Sequence, residues 1–236
     1  MSYKEAYGYA VARIRAMELR LLDASVFTRM LDAEDTASVL KVLGETSYAA
    51  ALTSVSGEGG IDKVLETVLH DTYEEVNSFV PQKELVALLR LPYDFSNAKV
   101  MLKSVFSVRS GGKKRWDLLT SLASYPVDKL ISDVETEDYQ LLPFGLSTLF
   151  PKCLSVWEQS RDVLEAERLL DRQMFAVMLE EAEKLAIPEI LAWVKLRIDG
   201  ENIRSLMRLK RFGFDSSRAA SFLHEGGNVD AGTLAP

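Results

Sequence analysis

The chain has 236 residues, of which 47% are hydrophobic, and a formal net charge of −7 at pH 7. A chain of this length and apolar content can bury the core of one large domain or two modest ones, which argues against wholesale disorder. The negative charge argues against a general nucleic-acid binder and against adsorption on anionic lipid, because both need a cationic face.

Helical periodicity runs through nearly the whole chain. Apolar residues at spacings of three and four predict amphipathic helices over roughly 3–32 and 61–79. In the stretch DTASVLKVLGE, Asp35 is typical of a helix N-cap and Gly44 of a helix end. One unbroken helix is predicted from about 152 to 186. There is no convincing two-residue alternation, so the predicted fold class is all-α.

Glycines and prolines divide the predicted helices. The segments TSVSGEGG (53–60) and SGGKKR (110–115) are predicted loops. Prolines predict points where helices stop or begin, because the proline ring does not fit a helix interior. The prolines interpreted in this way are Pro81, Pro92, Pro126, Pro143 and Pro151.

Two stretches of the sequence each occur twice. Residues 21–31 (LLDASVFTRML) share Leu-Leu-Asp, Phe and Met-Leu with residues 169–179 (LLDRQMFAVML) at the same spacing. Residues 91–104 (LPYDFSNAKVMLKS) match residues 196–209 (LRIDGENIRSLMRL) with a constant offset of 105. Two matches in the same order predict duplication of a helical unit. The predicted lobes span residues 1–110 and 111–225.

The second match has the pattern Leu-x-x-Asp-x-x-Asn-x-Lys/Arg-x-x-x-Lys/Arg. Its Asp and Asn lie one turn apart, where short polar side chains hold backbone groups at a helix start or kink. These predicted structural residues are Asp94, Asn97, Asp199 and Asn202. Its basic residues share a helix face and are candidate contacts for an acidic partner, with charge at a helix C-terminus as the alternative. They are Lys99, Lys103, Arg204 and Arg208.

The catalytic patterns in the sequence are incomplete. A phosphate loop in SVRSGGKKRW would need Gly where Ser107 stands and Ser or Thr where Lys114 stands. His70, His224 and Cys153 each lack a second ligand at metal spacing. The single cysteine allows no internal disulfide and favours a reducing compartment. The sequence therefore predicts no catalytic, cofactor-binding or metal-binding residue.

The acidic run SDVETED (132–138) is the one feature typical of an enzyme. On a helical scaffold, clustered carboxylates can hold Mg²⁺ against a diphosphate. This alternative requires a second acidic cluster facing the first, and it would use Asp133, Glu135, Glu137 and Asp138. The run is more typical of a solvated loop between helices.

The sequence predicts neither a transmembrane helix nor a secretory signal. The longest uncharged run, 139–151, is shorter than the roughly twenty apolar residues needed to span a bilayer. The N-terminal stretch MSYKEAYGYAVARIR lacks the apolar run of a signal peptide.

Several stretches together resemble one protein family over most of residues 3–230. They are AYGYAVARIRAMELRLLDASVFTRMLDAED, VLGETSYAAAL, YDFSNAKVMLKS and LLDRQMFAVMLEEAE with IDGENIRSLMRLK. In this order they are similar to the C subunit of archaeal and bacterial V/A-type ATPases, the counterpart of the d subunit of the eukaryotic vacuolar proton pump.

The resemblance implies an all-helical funnel of three similar lobes around a pseudo-threefold axis. Two lobes are expected in this chain, with 226–236 as a connector toward a missing third, so that the chain would be a truncated product. The implied role is a non-catalytic central-stalk rotor subunit of a complex that performs ATP-driven ion transport, including proton transport, or ATP synthesis. Its implied partners are the shaft subunits and the membrane rotor ring, on the cytoplasmic face of the membrane, with no cofactor and no nucleic acid. A Mg²⁺-dependent helical enzyme and a generic helical scaffold are the alternatives.

Overall fold

The computed structural model describes residues 3–54 and 60–234. All regular secondary structure in these two ranges is helical, which confirms the predicted all-α class. The chain divides into two compact units, Met1–Val86 and Ala87–Pro236. The predicted lobe boundaries at residues 110 and 225 follow the sequence repeats, and they stay a prediction.

The first unit contains several short helices and one long helix. Its elements are α1 (Tyr3–Ala6), α2 (Gly8–Glu18), α3 (Ala24–Leu31), α4 (Thr36–Leu43), α5 (Ala49–Ser54), α6 (Gly60–Phe79) and the start of α7 (Lys83–Arg109). The helix predicted over 61–79 is confirmed as α6. The continuous helix predicted over roughly 3–32 is wrong, since α2 ends at Glu18 and α3 begins only at Ala24. Of the loop predicted at 53–60, residues 55–59 lie outside the described residues.

Aspartate caps determine where two of these helices begin. The Asp23 carboxylate accepts hydrogen bonds from the amides of Ser25 and Val26 at 2.8 and 3.0 Å. The Asp35 carboxylate accepts one from the Ser38 amide at 2.7 Å. These bonds satisfy amides that the first turn of a helix leaves without an internal partner. Helix α4 therefore begins after Asp35 and has Gly44 as its C-cap, as the sequence predicted.

A small apolar core stabilises the first unit. Ala10 of α2 is buried together with Val80 and Val86. The side chains that pack against this core are those of Tyr7, Tyr73, Val76 and Phe79. Beside the core, Arg13 of α2 forms an ion pair with Glu75 of α6 at 3.2 Å. These contacts hold α2 against α6.

The second unit contains most of the long helices. Besides the rest of α7, its elements are α8 (Val127–Glu135), α9 (Leu146–Ser160), α10 (Val163–Leu185), α11 (Pro188–Arg211), α12 (Ser216–Ala220) and α13 (Ala231–Leu234), with 3-10 helices at Trp116–Leu118 and Tyr139–Leu141. The loop predicted at 110–115 is confirmed between α7 and the first 3-10 helix. In the part of the chain that the structure describes, no helix is both long enough and apolar enough to cross a membrane.

The single helix predicted over 152–186 is wrong, because the chain breaks between α9 and α10. Arg161 has a left-handed backbone conformation with φ of 58° and ends α9. The Asp162 carboxylate then accepts hydrogen bonds from the amides of Leu164 and Glu165 at 2.9 and 3.3 Å. An N-capping aspartate competes with continuation of the preceding helix, so a second helix begins here.

Two of the prolines interpreted as helix boundaries lie inside helices instead. Pro92 is in the interior of α7, and Pro151 is in α9. An interior proline costs about 3 kcal/mol or more in helix stability. Leu88 and Leu91 beside Pro92 are fully buried, and this burial offsets the cost, at about 1.5–3 kcal/mol for each such side chain. Tertiary packing therefore outweighs local preference at Pro92.

The two copies of the first repeated stretch differ in where the helix begins. Asp23 lies before α3 and caps it, whereas Asp171 lies in the interior of α10. Residues 24–31 and 172–179 are helical in both copies, and the duplication of a helical unit stays a prediction. The two aspartates have different local roles, since Asp23 binds backbone amides and Asp171 pairs with Lys99.

Aromatic contacts connect the helices of the second unit. Phe106 of α7 stacks on Trp157 of α9, with ring centroids 4.4 Å apart and planes 9° from parallel. Phe95 of α7 lies 6.4 Å from Phe144, just before α9. Such pairs contribute about 0.5–1.5 kcal/mol beyond the area they bury. Together they fix one face of α7 against α9 and the residues that precede it.

Candidate interaction surface

In the first motif helix, Asp94 and Asn97 bind the segment that follows the 3-10 helix. The Asn97 side-chain amide donates to the Thr120 carbonyl and accepts from the Thr120 amide, both at 2.9 Å. The Asp94 carboxylate accepts from the Ser124 hydroxyl at 2.7 Å and from the Tyr125 amide at 2.8 Å. The two side chains therefore attach this segment to α7 at two points.

In the second motif helix, Asp199 and Asn202 make the corresponding hydrogen bonds. The Asn202 side-chain amide donates to the His224 carbonyl and accepts from the His224 amide, both at 2.8 Å. The Asp199 carboxylate accepts from the backbone amides of Asn228 and Val229, each at 3.1 Å, and from the Asn228 side chain at 2.9 Å. The segment 224–229 is thereby attached to α11.

The two motifs share their hydrogen-bond geometry as well as their letters. In each, the asparagine binds both backbone groups of one residue, and the aspartate binds residues four and five positions later. A new helix follows in both cases, α8 from Val127 and α13 from Ala231. All four motif side chains are buried, so their role is internal. Their partner segments were not identified from the sequence.

The two motif aspartates differ in their electrostatics. Burial raises the pKa of Asp94 above its ordinary value, and the hydrogen bonds from Tyr125 and Ser124 offset only part of this. Burial also raises the pKa of Asp199, but the hydrogen bonds from Val229 and Asn228 outweigh it and hold the pKa below its ordinary value.

The first pair of predicted partner contacts forms ion pairs inside the chain. The Lys99 ammonium lies 2.5 Å from the Asp171 carboxylate. The Lys103 ammonium lies 2.8 Å from the Glu167 carboxylate. Both acids belong to α10, so the lysine pair of α7 binds two carboxylates that lie one helical turn apart.

The second pair of predicted partner contacts forms no ion pair with α10 among the described residues. Arg204 is exposed, and within the described ranges its ion pair is with Glu201 of its own helix, at 2.8 Å. Arg208 is exposed and forms no ion pair with any residue that the structure describes. Of the four basic residues predicted to contact an acidic partner, Arg204 and Arg208 are therefore the two that remain candidates.

A cavity of about 540 Å³ lies beside Arg208, between α10, α11 and α12. Its cationic lining consists of Lys99, Arg168, Arg197 and Arg208, and its acidic lining of Asp171 and Glu201. Buried His224 also lines it, with its ring centroid 4.5 Å from that of Phe175. Burial lowers the pKa of His224, which favours the neutral imidazole.

The acidic run 132–138 is only in part the solvated loop that the sequence favoured, since residues 136–138 are exposed and follow the end of α8. It begins inside α8, where Asp133 is buried and accepts a hydrogen bond from the Tyr125 hydroxyl at 2.6 Å. Glu135 pairs with Lys114, and Glu137 lies 3.9 Å from Arg109. Among the described residues, no three His, Cys, Asp or Glu side chains come together in a group that could hold a metal ion.

Cys153 is buried inside α9. Its sulfur lies 3.5 Å from the Ala166 carbonyl of α10. Burial raises the pKa of this thiol to about 11. The thiol is therefore neutral near pH 7 and not poised as a nucleophile, because the thiolate is the reactive form.

The chain matches the sequence model of one protein family, described as ATP synthase (C/AC39) subunit, over residues 10–235. It is 24% identical over 236 residues to the C subunit of the A-type ATP synthase of Thermococcus kodakarensis, and this match covers 97% of this chain and 64% of that protein. The corresponding C subunit of Thermococcus gammatolerans is 27% identical over 241 residues, covering 96% of this chain and 63% of that protein. The C subunit of the V-type ATP synthase of Thermus thermophilus is 26% identical over 234 residues, covering 95% and 69%. The chain thus spans slightly less than two thirds of the two Thermococcus proteins.

Proposed function

The chain belongs to the ATP synthase (C/AC39) subunit family, the C subunits of V/A-type ATPases, and on this premise we propose that it is a non-catalytic rotor subunit. In this role it connects the central shaft to the membrane ion-carrying ring and transmits rotation between them. The complex couples ion transport, including proton transport, to ATP hydrolysis or synthesis. The protein would lie on the cytoplasmic face of the membrane.

The observation that carries this proposal is the family match over residues 10–235. The structure supports it through the two motif helices. Each is joined to its following segment by buried side chains, which makes a firm helical support for protein contacts. Arg204 and Arg208 of α11 remain exposed at its surface. Two lobes repeated within a pseudo-threefold funnel are part of the same proposal.

Reconstitution from the separate parts of one V/A-type ATPase tests the proposal. The tagged chain is mixed with the isolated shaft subunits and, separately, with the detergent-solubilised rotor ring. We expect it to retain both, and we expect shaft and ring to associate only when the chain is present. Failure to retain either part would contradict the coupling role.

The non-catalytic assignment is tested with the isolated ATPase head. We expect its ATP hydrolysis to be the same with and without the chain. Ion transport by the complete complex in vesicles should instead require the chain. Loss of hydrolysis by the isolated head on omission of the chain would contradict the assignment.

A further inference from the structure

The two motifs hold chemically different residues at the same position. Asn97 binds both backbone groups of Thr120, and Asn202 binds both backbone groups of His224 in the same way. Threonine has no group that titrates near neutral pH, whereas histidine gains its charge in this range. Of the two attached segments, only the one on α11 therefore has a titratable side chain at its point of attachment.

The imidazole of His224 lies inside the second unit. The residue is 6% exposed, and its ring centroid lies 4.5 Å from that of Phe175 in α10. Its Nδ1 atom is buried and has no hydrogen-bond partner among the described residues. In the imidazolium both ring nitrogens carry a hydrogen. The charged form therefore places a buried N–H group where the described chain offers no acceptor, and the neutral tautomer protonated at Nε2 avoids this cost.

Charged side chains of α7, α10 and α11 face this imidazole. Asp171 and Glu201 favour the imidazolium, whereas Arg172 and Lys99 oppose it. Both acids are already engaged in ion pairs with basic side chains. Burial has the largest effect and lowers the pKa of His224. The other charged residues that line the cavities beside the imidazole are Arg168, Arg197, Arg208 and Glu225.

The burial of the imidazole depends on the attachment of the segment 224–229. The two 2.8 Å hydrogen bonds from Asn202 hold the backbone of His224 against α11, and the ring is buried in this position. Gly226 and Gly227 follow directly, and Gly226 has a left-handed φ of 92°. Glycine adopts such conformations and their alternatives without a side-chain clash. The segment therefore has a point at which it can bend away from α11 and bring the imidazole into water.

We infer that His224 is a pH-sensitive latch for the segment 224–229. With a neutral imidazole, the segment stays attached to α11 through Asn202 and Asp199. When the imidazole binds a proton, the segment detaches, because the charged ring reaches water only in the detached form. The latch is closed near neutral pH and opens on acidification. The inference extends beyond the rotor role and does not depend on it.

The direction and size of the effect follow from linkage between proton binding and opening. The pKa of His224 is lowered in the closed form, so its contribution to closure is fully present above the ordinary pKa of about 6.5 and is lost as the pH falls below it. With an imidazole that stays neutral in the closed form and has the ordinary pKa in the open form, the equilibrium constant for opening rises about tenfold from pH 7.5 to pH 5.5.

Hydrogen exchange of the Asn228 and Val229 amides, which donate to Asp199, measures this opening. We expect their exchange to accelerate by up to about tenfold from pH 7.5 to pH 5.5, relative to a variant without the imidazole measured at the same pH. The comparison at equal pH removes the intrinsic pH dependence of exchange. The amides of Thr120 and Tyr125 are the internal control and should show no such acceleration.

Two variants remove the titrating group. His224→Phe keeps a ring beside Phe175, and His224→Thr copies the residue at the corresponding position of the first motif, Thr120. Both keep the backbone groups that Asn202 binds. Circular dichroism and thermal unfolding verify that each variant is folded. We expect both to lose the acceleration on acidification.

Protonation of the imidazole is followed separately by nuclear magnetic resonance. The chain has two histidines, so His70→Gln assigns both ring signals. We expect the His224 ring to remain neutral at pH 6.5 and to take up its proton together with the loss of amide protection. Protonation at the ordinary pKa with the amides still protected would overturn the inference. Equal pH dependence in the unchanged chain and a folded His224 variant would also overturn it. So would equal acceleration at the Leu154 amide in α9, because the whole unit would then open.

Discussion

Asn202 and His224 exchange two hydrogen bonds of 2.8 Å, one in each direction between the side-chain amide of the first and the backbone of the second. Both residues are buried. A planar amide that binds both the N–H and the C=O of one residue leaves neither backbone group without a partner. The geometry of this pair determines the path of the chain after α12.

Truncation of Asn202 to alanine should lower the free energy of unfolding by about 2–4 kcal/mol. It removes two hydrogen bonds and leaves the buried backbone groups of His224 without partners. Urea unfolding followed by circular dichroism measures the change. Gln159→Ala, which removes an exposed amide of α9, should change stability by less than about 0.5 kcal/mol. Equal losses of unfolding free energy in the two variants would contradict a stabilising role for the buried amide of Asn202.

Two glycine substitutions near the second motif should have opposite effects. Gly200→Ala should stabilise the chain by about 0.5–1 kcal/mol, because glycine is costly inside a helix and the added Cβ meets no atom within 4 Å. Gly227→Ala should destabilise it, because its Cβ would lie 2.1 Å from the Asp199 carboxylate oxygen. Thermal unfolding of both variants measures the contrast. A lower melting temperature for Gly200→Ala would contradict the finding that the space beside Gly200 is open.

The two motif aspartates should affect acid stability in opposite directions. The folded-state pKa of Asp199 is lowered, so its contribution is present above its unfolded pKa and is lost as the pH falls through the folded pKa. The folded-state pKa of Asp94 is raised, so its contribution is present below the unfolded pKa and is lost as the pH rises through the folded pKa.

We therefore expect Asp199→Asn to flatten the loss of stability below about pH 5, and Asp94→Asn to steepen it. Urea unfolding at closely spaced pH values from the acid range to neutrality measures both slopes. The readout is the slope with pH, so a uniform loss of stability in either variant does not obscure it. Parallel curves for the two variants and the unchanged chain would contradict the prediction.

The Lys99–Asp171 ion pair should show a larger coupling energy than Arg204–Glu201. The first joins two helices and has side chains 27% and 31% exposed, whereas the second lies within one helix and has side chains 60% and 30% exposed. Double-mutant cycles should give about 1 kcal/mol for the first pair and about 0.3 kcal/mol for the second. The reverse order would show that Lys99 is not held by α10 in solution.

Nucleotide and divalent metal should leave the thermal stability of the chain unchanged. In the acidic run, Asp133, Glu135 and Glu137 each interact with a different residue of the chain instead of converging on one point. A ligand that binds the native state must raise the melting temperature. Thermal shift measurements with ATP, Mg²⁺ and Mg²⁺-diphosphate test this. A saturable rise with Mg²⁺-diphosphate, abolished by Glu135→Gln, would favour the enzyme alternative.

Helix positions with a strong local signal could be predicted from the sequence, and breaks in continuous apolar patterns could not. Helix α4 has Asp35 as its N-cap and Gly44 as its C-cap, as predicted, because cap preferences act within a single turn. The break at Arg161 was missed because apolar periodicity continues across it, and the Asp162 cap that decides it is one polar residue among several. Pro92 was assigned to a boundary because the burial of its neighbours is a tertiary effect.

The candidate surface was predictable only in part. The motif register emerged from the sequence, but the segments bound by Asn97 and Asn202 did not, because both side chains bind backbone groups. Every residue carries such groups, so the two partner segments need no sequence similarity. Thr120 in one motif occupies the position that His224 occupies in the other. Likewise, the basic residues of the two motifs are similar, so the sequence did not indicate that Asp171 and Glu167 of α10 form ion pairs with the lysines of α7.

The paired attachment of each segment to its motif helix also has a mechanical consequence. A loop held at one point can pivot about that point, whereas a loop held at two points one turn apart resists both pivoting and sliding along the helix axis. Asp199 and Asn202 provide two such anchors within a buried environment. A force applied to the segment 224–229 is therefore transmitted to α11 through two attachment points. We expect the helix and this segment to move together as one rigid unit.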